Sequence, residues 1–392
     1  SRGRPLPLLA GPAVAADAVG LHRAVGHPTL FPLEEIEAAT QRVFASLGRE
    51  LLAYPSPAGY EPLRAALRAR LARQGVAVER NELLIVNGSQ QGLDLVARLL
   101  LADGGSVVTT RPSFSGALDV FRWWRAELLG VAAGSDGFDD AALERALAAP
   151  RTRLAYVVAD RANPTGATLS LATRARLLER VQAARVPLLE DDWLAELRAD
   201  GEAPPLKAHD RLDQVLYLGT FSKVLAPGLR LGWLLVPKAL FAPLLALKKV
   251  CDLATNFPAQ AVLHELLQSG FIDQHVRDLR QQFERRARIV DAAIDRHFPA
   301  GIRPRRPHSG MVCWIDLPAA IDMNRLVDDA RRAGIEIASG APFDPSSPPA
   351  PAFRLSYSAA DESALAPAIA ALGKLLIRHL HAGAEDDAPP LV

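Results

Sequence analysis

The chain has 392 residues, 49% of them hydrophobic and 23% charged, with 45 Lys and Arg against 44 Asp and Glu. That length exceeds the size at which one core stops growing, so two domains are expected. The net charge of +1 gives no electrostatic case for nucleic acid or for an acidic membrane surface. Cys251 and Cys313 have no metal-ligand partner at finger spacing, so no metal site is expected, and both read as core thiols of a reducing, cytoplasmic compartment. No apolar run is read as a membrane span, because Pro237, Lys238, Pro243 and Lys248 interrupt the richest region. The chain opens on Ser rather than Met, which suggests processing, trimming or membership of something longer.

Residues 1–20, rich in Pro, Ala and Gly, read as a linker or arm. Pro32 opens an amphipathic stretch with Leu33, Ile36, Val43, Phe44 and Leu47 at helical spacing. A turn-rich loop around Tyr54 and Gly59 leads into a second helix that begins at Glu61 and Pro62. Seven strand-like runs follow, at 83–86, 106–110, 127–129, 154–158, 187–189, 214–218 and 231–236. Helical patterns separate most of them, which predicts an α/β fold with a seven-stranded, mostly parallel sheet covered on both faces. The last two runs have no helix between them and should form one antiparallel pair. Long helices are expected at 238–253, 257–269 and 271–297, followed by a smaller α+β unit with strands at 311–315, 335–337 and 353–356. The domain reading is therefore an arm and first helix (1–47) packed with the small domain, a large domain (48–270), a small domain (271–381) and a disordered tail (382–392).

In open sheets of this kind ligands collect at the carboxyl ends of the strands, and several ends here carry polar residues. Asn87-Gly88-Ser89-Gln90 follows the first run, and small residues at a helix start leave N–H groups free for an anion, although Ser89 also suits a plain N-cap. Arg111-Pro112-Ser113-Phe114 offers a ring for stacking or for the core. Asn163-Pro164-Thr165-Gly166 reads equally as a proline-preset turn or as a donor to a ring oxygen. Glu190-Asp191-Asp192 places carboxylates where burial without a cation is costly. Thr220-Phe221-Ser222-Lys223 ends another strand, with Arg230 seven residues on. A lone lysine there is ordinarily a surface residue. With hydroxyls and a guanidinium beside it, the amine suits a Schiff base with a phosphorylated aldehyde cofactor. Arg354, inside a strand pattern of the last unit, suits bidentate carboxylate binding or an ion pair.

From about Gly26 to about Leu380 the chain resembles fold-type-I pyridoxal-phosphate enzymes of the class I/II aminotransferase group. Within that group it is most similar to 2-aminoadipate-type aminotransferases and to the aminotransferase-like domains of MocR-type regulators. Asn163 to Gly166, Glu190 to Asp192, and Thr220 through Gly232 carry the likeness. The resemblance implies pyridoxal 5′-phosphate as cofactor, with Lys223 as Schiff-base lysine and proton shuttle, Asp191 on the pyridinium nitrogen, Asn163 on the phenolic oxygen and Phe114 on the ring face. It further implies Ser89, Gln90, Thr220 or Ser222, and Arg230 on the phosphate, and Arg354 on the substrate α-carboxylate. Tyr54 would reach the neighbouring subunit's phosphate, implying a homodimer with shared sites. The substrates implied are an amino acid and a 2-oxo acid, exchanged by a ping-pong mechanism.

One departure stands out. Leu194 occupies the position, three residues after Asp191, where many of these enzymes carry a tyrosine. The regulator branch tends to lack that tyrosine, so a ligand-sensing domain separated from its DNA-binding module is the second reading. No winged-helix or basic recognition helix is read in these residues. A decarboxylase, lyase or racemase is the third reading, and the carboxylate clamp expected of Arg354 disfavours decarboxylation.

Overall fold

A computed structural model describes residues 18–134, 137–199, 201–306, 310–346 and 348–386. Most of the expected arm and the end of the expected tail lie outside them. The described residues divide into a larger unit, 28–163 and 167–282, and a smaller one, 18–27, 164–166 and 283–386.

The larger unit is built on one sheet whose strands lie in the order Asn81–Val86, Gly232–Pro237, Val215–Thr220, Leu188–Asp192, Thr152–Val157, Gly105–Arg111, Ala126–Gly134 and Gly137–Phe138. The five strands from Val215–Thr220 to Ala126–Gly134 are mutually parallel. Gly232–Pro237 runs antiparallel to both its neighbours, which is the hairpin-like pair expected from the missing helix. All seven expected runs are strands. The eighth, Gly137–Phe138, is two residues long and too short to show a pattern. Leu188–Asp192, Val215–Thr220 and Gly232–Pro237 are buried at every position; the last two read as near-continuous apolar runs rather than alternating ones, whereas Leu188–Asp192 is apolar only at its start. On one face Val108, Ala155, Val157, Leu188 and Val215 pack with helix residues Leu143, Leu177 and Val181. Each large aliphatic side chain buried there contributes about 1.5–3 kcal/mol.

Helix Leu33–Leu47, expected with the small domain, belongs instead to the larger unit. Its Arg42 donates to Glu265 of helix Phe257–Gln268 at 2.7 Å. The expected boundary at 270/271 also shifts. Helix Phe271–His297 crosses it without a break: Val276 and Leu279 are buried in the part belonging to the larger unit, and Ala287, Val290 and Ile294 lie in the smaller unit's core. A continuous amphipathic helix gives no local signal of where one core ends and another begins.

The smaller unit has an antiparallel sheet in the order Arg303–Arg305, Val312–Asp316, Ala352–Ser356 and Ala338–Ser339. Val19–Gly20 pairs in parallel with Ile335–Glu336. Arg305 and Arg306 are engaged by carboxylates: Arg305 meets Asp316 at 2.8 Å, and Arg306 meets Asp291 and Asp295. Helix Glu362–Asp386 runs into the segment expected as a tail. By length and composition residues Glu362–His381 could cross a bilayer, which the sequence reading missed. Leu365, Ile369, Leu372 and Leu376 of that helix are buried in the smaller unit's core, which accounts for its apolarity. Of the two cysteines only Cys313 is a core thiol, pushed up to about 12 by burial; Cys251 is exposed.

Candidate active site

Strand Leu188–Asp192 ends in three successive buried carboxylates, and the alternation of side chains across a strand gives them different partners. Both Glu190 oxygens accept backbone N–H groups, from Leu206 at 2.8 Å and Lys207 at 2.9 Å. Burial nevertheless pushes Glu190 up to about 8, helped by the Asp192 charge. Asp192 accepts from Arg198 at 2.6 Å and from the Tyr217 hydroxyl at 2.8 Å. Arg198 also donates to Asp160 at 2.5 Å, and Arg174 holds the other Asp160 oxygen. Burial works against the Arg198 charge, but Asp192, Tyr217 and Asp160 outweigh it and leave Arg198 more basic than usual.

Asp191, facing the opposite way, differs. Its Oδ2 accepts the Tyr156 hydroxyl at 2.8 Å. Its Oδ1, like that of Asp192, is buried with no hydrogen-bond partner among the described residues, but no guanidinium meets the other oxygen of Asp191 as Arg198 meets that of Asp192. Burial pushes Asp191 up to about 7, against the Tyr156 hydrogen bond and the Lys223 charge, which both lower it. A buried carboxylate with one oxygen unmet and no ion pair among the described residues is a slot for a ligand cation.

Lys223 stands in the turn after Val215–Thr220, the strand beside Asp191's, where Asp191 and Leu218 are register partners. Phe221, Val224 and Leu225 are buried and bracket the half-buried lysine. The Leu225 N–H donates to the Phe221 carbonyl at 2.9 Å, and the His275 ring meets the Val224 carbonyl at 2.7 Å. The Lys223 Nζ lies 5.8 Å from the centre of the Trp193 ring. Trp193 in turn donates to the Arg161 carbonyl at 3.0 Å, in the loop that carries the buried Asn163.

A second cluster lies at the start of helix Gly88–Leu101. The N-cap is Asn87, not Ser89, and it makes no side-chain cap; its amide instead donates to Asp252. The first-turn N–H groups of Ser89 and Gln90 therefore lack the usual side-chain acceptor. Arg230, in the left-handed region at φ 52°, lays its guanidinium over this end and donates to the Asn87 carbonyl at 3.3 Å. Gly232 brings the next strand so close that a Cβ there would sit 3.0 Å from the Ser89 nitrogen. Thr220 donates to Ser222 at 3.0 Å and accepts the Ser222 N–H at 3.1 Å, so the strand end and the lysine turn present two linked hydroxyls. Gln90 donates to the Gly116 carbonyl at 3.1 Å, and a Cβ on Gly116 would meet the Phe114 ring at 2.6 Å. Backbone N–H groups, hydroxyls and one guanidinium make an anion cradle. Gly88, at φ 72°, would place a Cβ 2.5 Å from the Arg230 guanidinium. Gly88→Ala is therefore expected to lower stability by more than about 1 kcal/mol and to weaken phosphate binding, read from urea midpoints and from titration with phosphate.

The remaining expected site residues fall elsewhere. Tyr54 is 86% exposed in the loop before Glu61–Arg73. Arg354 belongs to the smaller unit, where it donates to the His22 carbonyl at 2.5 Å and stacks 4.8 Å from the Phe343 ring centre; burial pulls it down to about 10. Leu194 is buried and presents no hydroxyl. Sequence reasoning missed Tyr156, Trp193, Arg198 and Tyr217. The tyrosines were concealed inside apolar runs, and only strand adjacency shows which carboxylate each one meets.

The model of the aminotransferase class I and II family matches residues 22–372. The chain belongs to that family. It is 34% identical to the 2-aminoadipate transaminase of Thermus thermophilus over 95% of this chain and 92% of that protein. The crystal structure of LysN, the α-aminoadipate aminotransferase of Thermus thermophilus, complexed with N-(5′-phosphopyridoxyl)-L-leucine, superposes with a TM-score of 0.87 at 32% identity, covering 94% of each chain. The uncharacterized HTH-type transcriptional regulator YdcR of Escherichia coli is 32% identical over 81% of this chain and 68% of its own length. As in other class I and II aminotransferases, the substrates are an amino acid and a 2-oxo acid.

The unmet Asp191 oxygen and the uncapped helix start fit a group that carries a cationic ring nitrogen and a phosphate. A separate polar cavity of about 510 Å³ lies against Arg70, Glu196, Arg198, Asp273 and Arg280. Glu196 and Asp273 are both paired with Arg70 and Arg280 is committed to backbone carbonyls, so its charges are largely met within the protein. Among the described residues no three His, Cys, Asp or Glu side chains gather as a metal-ligand set.

Proposed function

We propose that this aminotransferase binds pyridoxal 5′-phosphate at the strand ends of the larger unit and moves an amino group between an L-amino acid and a 2-oxo acid. The observation that carries the reading is Lys223 beside a buried Asp191 whose Oδ1 lacks a partner among the described residues. Bound there, the cofactor supplies an aldehyde to receive the amino group and a protonated ring nitrogen that draws electrons from the substrate Cα. The Lys223 amine holds the cofactor as a nucleophile and, once released, carries the proton at that Cα. Asp191 keeps the ring nitrogen charged, Asn163 donates to the ring oxygen and Phe114 covers one face. Ser89, Gln90, Thr220, Ser222 and Arg230 hold the phosphate. Arg354 takes the substrate α-carboxylate, and the exposed Tyr54 is offered to a second copy in a homodimer.

Because the chain is similar to a 2-aminoadipate transaminase, dicarboxylic amino acids are the first donors to try. A panel of amino acids incubated with 2-oxoglutarate and cofactor, analysed by mass, is expected to show a 2-oxo acid and glutamate formed together. If no donor on the panel gives that pair of products, the enzymatic reading fails. The second reading, an effector-sensing domain of a MocR-type regulator, draws on the likeness to YdcR and on Leu194. A protein that fixes the cofactor on Lys223 under borohydride yet turns over no donor would favour it.

A further inference from the structure

We propose that Tyr156 is a positioning residue for the transfer reaction, fixing the Asp191 carboxylate so that Oδ2 stays committed to the protein and Oδ1 is left for the cofactor's ring nitrogen. The proposal rests on the reading above. Tyr156 lies in strand Thr152–Val157, on the far side of Asp191's strand from the lysine turn, and is register partner to Leu189. That register puts its side chain on the same sheet face as Asp191, because residues two apart along a strand share a face. The ring is 2% exposed and meets Phe121 edge-on at 5.4 Å between centres. Packed in this way, the phenol has one polar partner recorded, the Asp191 Oδ2 at 2.8 Å.

The two neighbouring carboxylates show why this matters. Glu190 is held by two N–H groups, and Asp192 by a guanidinium as well as a phenol. Asp191 alone depends on a single hydroxyl for its orientation. The charged and titratable groups acting on it are Tyr156, Asp192 and Lys223. Burial, first, and the Asp191 charge, second, hold the Tyr156 phenol well above its ordinary range, so it stays a donor at neutral pH. A donor protonated there keeps one carboxylate oxygen occupied. It also favours the ionised form that a pyridinium partner requires.

The test compares Tyr156→Phe with the wild type, using pyridoxal phosphate and its 1-deaza analogue, in which a C–H replaces the ring nitrogen. The variant keeps the ring packing and loses only the hydroxyl. With pyridoxal phosphate, affinity measured by absorbance titration and kcat are each expected to fall about 10- to 100-fold, the range for a hydrogen bond to a charged group. With the analogue, wild type and variant should bind alike, since Asp191 then has no ring nitrogen to meet. An equal loss with both compounds, or no loss with pyridoxal phosphate, overturns the proposal. If the wild type itself fixes no cofactor on Lys223 under borohydride, the functional reading fails instead. Should Tyr156→Phe not fold, 3-fluorotyrosine at position 156 supplies a more acidic donor. It is expected to change affinity for pyridoxal phosphate and leave that for the analogue alone, and equal shifts with both again overturn the proposal.

Discussion

Lys223→Ala is expected to abolish borohydride fixation of the cofactor and to lower amine transfer by at least about 10²–10⁴-fold, the contribution of proton transfer by a positioned side chain alone. The turn that carries Lys223 is anchored by Phe221, Val224 and Leu225, all buried, so removal of the half-buried lysine should leave the fold intact. Two measurements separate the roles. Intact mass after borohydride reports the covalent link. Titration of the variant with pyridoxal phosphate reports the cradle, which should still bind because Ser89, Thr220, Ser222 and Arg230 are untouched. Added small amines should restore part of the transfer rate, because they return a base without returning the tether. A variant that still carried a reducible cofactor bond at full stoichiometry would place the nucleophile elsewhere.

Arg198→Met is expected to cost about 3–5 kcal/mol of stability, the range for removing one partner of a buried ion pair. Arg198 serves two buried carboxylates, Asp192 at 2.6 Å and Asp160 at 2.5 Å, and donates to the Tyr217 hydroxyl at 3.3 Å. Asp160 retains Arg174, whereas Asp192 keeps only the phenol of Tyr217. Asp192→Asn in the Arg198→Met background should therefore recover much of the loss, by removing the charge left behind. Urea midpoints of the two variants and the wild type measure this directly. If the double variant is no more stable than Arg198→Met, the penalty does not come from an unpaired Asp192.

Most strands were legible because a sheet covered on both faces demands unbroken apolar runs, and seven such runs stand out between 83 and 236. The lysine, the acidic strand end and the Gly/Ser helix start were legible because polar residues interrupt those runs where a packed core has no use for them. Other features depended on partners distant in sequence. Asn87 stands at the N-cap position but leaves the helix start without a side-chain cap, because Asp252, 165 residues away, takes its amide. The first helix belongs to the larger unit, where Ala39 and Val43 are buried and Arg42 meets Glu265 across a long gap in the chain. The unit boundary inside Phe271–His297 followed from which core each turn of one continuous helix faces.

By itself, the sequence determined the family and the mostly parallel sheet, and it singled out Lys223 for the proposed chemistry. Those depend on local pattern: apolar period, turn residues and a lysine at a strand end. The tertiary structure decided the assignments within the acidic triplet, giving Glu190 to backbone N–H groups, Asp192 to Arg198, and Asp191 to Tyr156 with one oxygen left over. Three adjacent carboxylates are alike in composition. Strand register and the alternation of faces give each a different neighbour, and burial then makes the one without a cation the place where a ligand's positive charge is wanted.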